Sequence, residues 1–196
     1  MCTHELVGLI HSGDRYEKDV LSTVYKLFKQ TDSDVIYGDI IAVERDSQMS
    51  NDTILVGNHA LLKKRMSTPH PATFIKLAVY KEVRMYNCEY KIAADYDLLL
   101  ELFCKGHSFH YSNKILATFQ QDGISSTNIF LRFKENFVIR KKQLGTLAAY
   151  SFAIRTLPFS LFYNIRKKLV TGIIGNENYF KIKQKLREQD NKPEKS

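Results

Sequence analysis

The chain has 196 residues, and its hydrophobic and charged fractions of 44% and 26% are ordinary for a globular protein. This length can bury one sizeable core, so one domain with appendages is expected. The three cysteines (Cys2, Cys88 and Cys104) form no CxxC pair, and the first residues lack the basic and apolar regions of a signal peptide. These features argue against a disulfide scaffold and predict a reduced, cytoplasmic protein.

The net charge of +8 is unevenly distributed. Residues 1–128 hold 14 Lys and Arg against 16 Asp and Glu, whereas residues 129–196 hold 15 against 5. A basic tail of this kind indicates contact with an anionic surface, either a membrane or nucleic acid. A solvated helical face is the alternative.

Strands and helices are predicted to alternate in the first part of the chain. The predicted strands cover residues 5–10, 34–43, 73–77 and 109–119, and the predicted helices cover 14–30 and 95–105. After a polar turn the remaining sequence is helical in pattern. The expected class is therefore α/β, a sheet layer with a C-terminal helical appendage. The expected organisation is a domain over 1–127, basic amphipathic helices over 128–189 and a disordered tail over 190–196.

Asp14 follows the first predicted strand in a Ser-Gly-Asp turn. A carboxylate on such a loop can bind a hard divalent cation that also holds substrate phosphates. Capping of the following helix is the alternative role.

Asp95 lies at the start of the predicted helix, where a carboxylate can cap free N–H groups or act as a general base. Asp97 lies two residues further and faces another side of that helix. We expect Asp97 to support the first turn electrostatically.

His70 stands between Pro69 and Pro71, so its backbone is stiff and extended. Such a side chain can face a ligand at low entropic cost, or it can be an ordinary exposed loop histidine. Gln120, Gln121, Gly123 and Ser125 form a polar turn that can bind sugar or phosphate oxygens, although turn chemistry alone also explains Gly and Ser there.

Taken in order, five segments resemble the family 2 glycosyltransferases of the bacterial surface-polysaccharide type. They are Glu5–Asp14 (ELVGLIHSGD), Tyr37–Asp39 (YGD), Pro69–Phe74 (PHPATF), Ala94–Leu98 (ADYDL) and Asp122–Ser125 (DGIS). The resemblance covers about residues 3–145. It implies a partial GT-A, Rossmann-like sheet layer and an inverting sugar transfer from a nucleotide-sugar donor.

The resemblance also implies residue roles. Asp95 would be the catalytic base and Asp14 the ligand of Mn²⁺ or Mg²⁺. The acceptor or diphosphate region would be lined by His70, Asp97, Gln121, Gly123 and Ser125. Two departures from the family pattern stand out: Ser12 or Gly13 replaces the earlier acid of the DxD motif, and the N-terminal nucleotide-binding half would lie before residue 3. We therefore expect a truncated or split enzyme.

The stretch from Leu144 to Ile165 is mostly apolar but is interrupted by Arg155 and Pro158. A charge near the middle of a membrane span is costly, which argues against a transmembrane helix. Together with the basic residues Arg166, Lys167 and Lys168, the stretch suits a helix lying on the inner face of the cytoplasmic membrane, or one packed on the α/β layer.

The leading hypothesis is a glycosyltransferase that acts on a polysaccharide or lipid-linked acceptor. The alternative is an inactive fragment or a non-catalytic subunit that completes or binds a partner chain at the membrane surface. A nucleic-acid binder is disfavoured because aromatic residues do not alternate with the basic cluster as a stacking platform requires.

Overall fold

A computed structural model of the protein describes residues 4–43, 52–83, 86–120 and 128–156. The chain divides into two compact units, Met1–Ala149 and Tyr150–Ser196, and the second is described only over 150–156, which is helical. The elements of the first unit are β1 (Leu6–Gly8), β2 (Arg15–Tyr16), α1 (Val20–Thr31), β3 (Val35–Val43), β4 (Thr53–Leu55), a 3₁₀ turn (His59–Leu61), a second 3₁₀ turn (His70–Ala72), β5 (Thr73–Lys76), α2 (Leu77–Glu82), α3 (Ala94–Cys104), β6 (Phe109–Gln120) and α4 (Ile129–Leu144).

The described strands form one mixed sheet in the order β1-β5-β3-β6-β2, with β4 paired to the second half of β3. Strands β3 and β6 are parallel, whereas β5 runs antiparallel to both of its neighbours. The predicted α/β class is confirmed.

Strand β3 is central because its sequence suits burial on both faces. Val35 and Ile36 are fully buried, and the strand is rich in β-branched residues. Successive side chains alternate between two apolar clusters. Val35 packs with residues of α2, α3 and α4, whereas Ile36 packs with α1 and Leu116.

Two helices show opposite burial patterns. In α1 the buried residues are Val20, Val24 and Phe28, one stripe at helical spacing. In α3 the residues from Tyr96 to Leu100 are all buried, and α3 also packs on α4. Helix α3 is therefore covered on more than one side, which explains its run of leucines.

One helix boundary differs from the prediction. Helix α1 begins at Val20 rather than near residue 14, because Arg15 and Tyr16 pair with Thr118 and Ala117 of β6. Helix α4 ends at Leu144, before Gly145, whose φ of 88° lies in the region that favours glycine. The first unit includes α4, which begins just after the boundary that we expected at residue 128. The domain boundaries themselves stay a prediction, and residues 190–196 lie outside the described residues.

Candidate functional site

The antiparallel pairing of β1 with β5 brings two loops to the same end of these strands. Gly8 at the end of β1 pairs with Phe74 near the start of β5. The loop that follows β1 and carries Asp14 therefore lies beside the turn that precedes β5 and carries His70. The predicted residues Asp14 and His70 are brought together by this register.

Asp14 is held by the end of β6. Its amide donates to the carbonyl of His11 at 3.0 Å, which closes a tight turn, and its Oδ1 accepts a hydrogen bond from the Gln120 amide at 3.1 Å. Gly13 in this turn has a φ of 98°, and a Cβ there would meet the Gln120 side chain. The turn therefore requires glycine, and the Asp14 side chain is only 3% exposed.

His70 opens the 3₁₀ turn between two prolines. The turn is closed by the Ala72 amide and the Thr73 hydroxyl, which both donate to the Pro69 carbonyl at 3.1 and 2.6 Å. The His70 side chain is 18% exposed, so it projects from a rigid support into a largely enclosed position.

Asp95 completes the site from the first turn of α3. Its Oδ1 accepts a hydrogen bond from the Tyr96 amide at 2.8 Å, and its Oδ2 lies 3.4 Å from His70 Nδ1. On its other side, His70 Nε2 lies 3.9 Å from Asp14 Oδ2. One imidazole therefore stands between the two carboxylates.

Burial shapes the protonation of this group. Burial raises the pKa of Asp95 above the ordinary carboxyl value, although the imidazoles of His70 and His11 lower it in part. Burial lowers the pKa of His70, against the opposite influence of Asp95. The two shifts bring the pKa values of Asp95 and His70 closer together. A base that accepts a proton and then releases it benefits from such a match.

Two polar atoms of the site have no hydrogen bond within the part of the chain that the structure describes. Asp14 Oδ2 and His70 Nε2 are buried, and neither has a hydrogen-bond partner among the described residues. An unsatisfied buried polar group costs about 1–3 kcal/mol, so each such group calls for an explanation. A ligand bound between or beside them would satisfy both atoms.

His11 and Phe119 belong to the site, although the sequence pattern did not indicate them. The His11 ring lies 4.6 Å from the His70 ring, and Phe119 meets His70 edge-on at 5.9 Å between centroids. The signal for His11 was its place in the same turn as Asp14. Phe119 had no comparable signal, because only the strand pairing brings it to His70.

Asp97 is not brought to the site. It is buried on the face of α3 that meets α4, where its carboxylate receives hydrogen bonds from Lys142 at 3.2 Å and from Gln143 at 3.2 Å. Its position in the structure is that of an anchor between two helices.

The remaining predicted site residues lie in other parts of the chain. Gln121, Gly123, Ser125, Arg166, Lys167 and Lys168 lie outside the described residues. Arg155 is exposed on the helical stretch 146–156 and donates to Ser151 Oγ at 2.6 Å. Among the described residues, no helix combines the length and hydropathy needed to cross a membrane.

The side chains of the site could bind a divalent cation only together with ligands from substrate or water. Asp14 offers one buried oxygen that has no hydrogen bond among the described residues, and such an oxygen is a suitable hard ligand. Within the described ranges, no three His, Cys, Asp or Glu side chains are grouped closely enough to hold a metal ion. Substrate oxygens and water would have to supply the other ligands.

This architecture places the chain in a fold class. It has a mixed α/β fold that is consistent with part of a Rossmann-like fold. The structure of S. aureus TarS 1–349 in complex with UDP-GlcNAc aligns with 71% of this chain and 42% of that one, at 14% identity and a TM-score of 0.51.

Two further TarS structures give weaker alignments. The complex of TarS 1–349 with UDP aligns with 72% of this chain and 42% of that one, at 14% identity and a TM-score of 0.48. The longer TarS structure aligns with 70% of this chain and 24% of that one, at 15% identity and a TM-score of 0.49.

The likeness to TarS is one of fold, and the chain spans about two fifths of the length of TarS 1–349. No protein-family model matches the sequence, and a search of curated protein sequences finds no match.

Proposed function

We propose that this chain carries the acceptor side of an inverting glycosyltransferase site of the GT-A, family 2 type. The donor is a nucleotide-sugar, and the acceptor is a saccharide or a lipid-linked saccharide of a surface polysaccharide. The observation that supports this most is the placement of the His70 imidazole between Asp95 and Asp14, where β1 ends and β5 begins.

Asp95 is the general base in this proposal. It accepts the proton of the acceptor hydroxyl while the oxygen forms a bond to the anomeric carbon of the donor. The bond from that carbon to the diphosphate breaks, and its electron pair leaves with the diphosphate. Burial raises the pKa of Asp95, which makes it a stronger base than an exposed carboxylate.

Asp14 and His70 face the diphosphate side. Asp14 Oδ2 is available as the protein ligand of Mn²⁺ or Mg²⁺, and His70 Nε2 is available to a phosphate oxygen. When bound, the cation would neutralise charge on the departing diphosphate. His70 orients Asp95 through its other ring nitrogen.

The choice of donor class is supported by the fold. TarS has been crystallised with UDP-GlcNAc, and part of its fold is shared by this chain at a TM-score of 0.51. We extend only the class, a nucleoside diphosphate sugar, to this protein.

The test is transfer or hydrolysis of UDP-GlcNAc and related donors by the purified chain with Mn²⁺ or Mg²⁺. Metal-dependent turnover that is lost in Asp95→Asn supports the proposal. A folded chain that neither binds nor turns over any donor argues against an independent enzyme.

A non-catalytic subunit is the second candidate, and the sheet edge favours it. Strand β1 ends the described sheet, and its outer edge has no strand partner among the described residues. An unpaired edge is a template for a further strand. A partner chain that supplies nucleotide-binding strands would complete the sheet there. Donor binding by a complex purified from the native source, but not by the chain alone, would favour this candidate.

Membrane contact remains part of the proposal. Tyr150 and Ile154 are exposed residues of the helical stretch 150–156, which also carries Arg155. An apolar surface with basic residues suits an anionic leaflet. Binding to anionic vesicles at low salt, and release at high salt, would support peripheral attachment at the inner face of the cytoplasmic membrane.

A further inference from the structure

One buried carboxylate of α4 accepts hydrogen bonds from the backbone just before α3. Glu135 is 5% exposed. Its Oε1 accepts a hydrogen bond from the Lys91 amide at 2.9 Å, and its Oε2 accepts from the Ile92 and Ala93 amides at 3.0 and 2.9 Å. Three successive backbone N–H groups therefore point at one side chain that lies more than 40 residues away in sequence.

This contact adds to the local capping of α3, in which Asp95 accepts a hydrogen bond from the Tyr96 amide. The N-cap residue of α3 is Ala93, which has no side-chain oxygen to accept a hydrogen bond. Helix N-termini leave free N–H groups and carry a partial positive charge. The Glu135 carboxylate satisfies the amides at and before the cap and places a negative charge at the favourable end of the helix.

The burial of Glu135 gives this contact its weight. A carboxylate in the interior is costly unless it is hydrogen-bonded, and charge-assisted hydrogen bonds are short and strong. An apolar residue would pack α4 on α3 without that cost. The geometry of the loop, rather than helix packing alone, is what the carboxylate fixes.

We propose that Glu135 is the positioning residue for Asp95. It fixes residues 91–93, which lead into α3. Asp95 lies two positions further, in the first turn of that helix. The direction of the Asp95 carboxylate toward His70 then depends on Glu135. This inference rests on the proposed function of Asp95 as the base.

The expected effect is on turnover more than on binding. A displacement of about 1 Å in a reacting group can cost about 100-fold in rate. Glu135→Gln keeps one acceptor oxygen but puts an NH₂ group against backbone N–H donors, so at least one of the three hydrogen bonds is lost. We expect kcat to fall about 10- to 100-fold with KM nearly unchanged. Glu135→Ala loses all three hydrogen bonds, so its kcat is expected to fall further.

The matched control is Arg140→Gln on the same helix. Arg140 is also buried, and its guanidinium donates to the carbonyls of Lys63 and Lys64 at 2.7 Å each. This change weakens the docking of α4 and removes no hydrogen bond of residues 91–93, although the guanidinium also lies 5.4 Å from the centroid of the Tyr96 ring. Urea unfolding of both variants shows whether their losses of stability are comparable.

The experiment has two readouts on the whole chain. The first is kcat and KM for donor turnover. The second is the position of the His70 imidazole ¹H–¹⁵N signals at fixed pH, which depends on the neighbouring Asp95 carboxylate.

The proposal is supported if Glu135→Gln lowers kcat and shifts the His70 signals while Arg140→Gln does neither. It is overturned if the two variants change the His70 signals equally, or if Glu135→Gln leaves them in place. A wild-type chain without turnover would count against the proposed function, and the His70 signals would still decide whether Glu135 positions Asp95.

Discussion

His70 Nδ1 lies 3.4 Å from Asp95 Oδ2, although the two residues belong to a 3₁₀ turn and to a helix that are separated in sequence by β5 and α2. The contact brings the first turn of α3 to the turn that precedes β5. It joins a group whose pKa is raised by burial to one whose pKa is lowered by burial.

Asp95 and Asp97 are expected to respond differently to the same substitution. Asp95→Asn removes the base and should lower kcat by about 10²- to 10⁴-fold with little change in the free energy of unfolding. Asp97→Asn weakens the hydrogen bonds to Lys142 and Gln143 and should cost about 1–3 kcal/mol of stability while turnover is largely kept. Steady-state kinetics and urea unfolding on both variants test this. Equal losses of turnover would contradict the assignment of the base.

His70 should control the pH dependence of turnover. The base must be deprotonated, so kcat/KM rises with pH through the pKa of Asp95, which burial raises above the usual carboxyl value. The His70 imidazole partly lowers that pKa, so its removal in His70→Gln should move the acid limb of the profile to higher pH.

The control for this measurement is His110→Gln, a histidine of β6 that pairs with Ile36 in the sheet register. Its pH profile should match that of the wild type. An acid limb that stays in place in His70→Gln would show that the imidazole does not act on Asp95.

Asp34 should make stability depend on pH. Burial acts to raise its pKa, but the Ser108 amide and the His107 imidazole outweigh burial, and the net pKa is below the ordinary 3.8. The unfolded chain therefore binds the proton more tightly than the folded one. The stabilisation is complete above the unfolded value and is lost as pH falls through the lower folded value.

Urea unfolding at pH 6 and pH 3 measures this contribution. Asp34→Asn should lose part of the stability at pH 6 and show a weaker fall toward pH 3 than the wild type. Asp32→Asn is the control, because Asp32 is 88% exposed and pairs with Lys76 at the surface, where an ion pair contributes little. A wild-type fall that Asp34→Asn does not reduce would assign the pH dependence to other carboxylates.

Two glycines should resist substitution for different reasons. A Cβ at Gly38, within β3, would lie 2.5 Å from the Lys114 carbonyl oxygen and 2.6 Å from the Leu116 side chain. Gly38→Ala should therefore cost about 2–3 kcal/mol, because this carbonyl lies in an irregularity between two paired stretches of β3 and β6 that hold it on both sides.

Gly106 provides the comparison. It has open space around its Cα but a φ of 83°, so Gly106→Ala should cost about 1 kcal/mol through backbone strain alone. Urea unfolding compares the two variants. A larger loss in Gly106→Ala than in Gly38→Ala would mean that β3 and β6 are less closely packed than the structure has them.

The sequence by itself determined the α/β class and the positions of β3, β5, α3 and β6, and it predicted Asp14, His70 and Asp95 as site residues. These features have local causes. Runs of β-branched residues favour strands, and prolines and a glycine favour turns between the elements. The short strands β2 and β4 lacked such a signal, because two or three residues become a strand only when a partner supplies the hydrogen bonds.

Only the tertiary structure decided how the site is assembled. The register of β1 on β5 brought the Asp14 turn to His70, and β6 added Phe119. Helix packing also paired Asp97 with Lys142 and assigned Glu135 to the amides before α3. Contacts of this kind join residues far apart in sequence, and strand pairing and helix packing, rather than local propensity, determine which side chains meet.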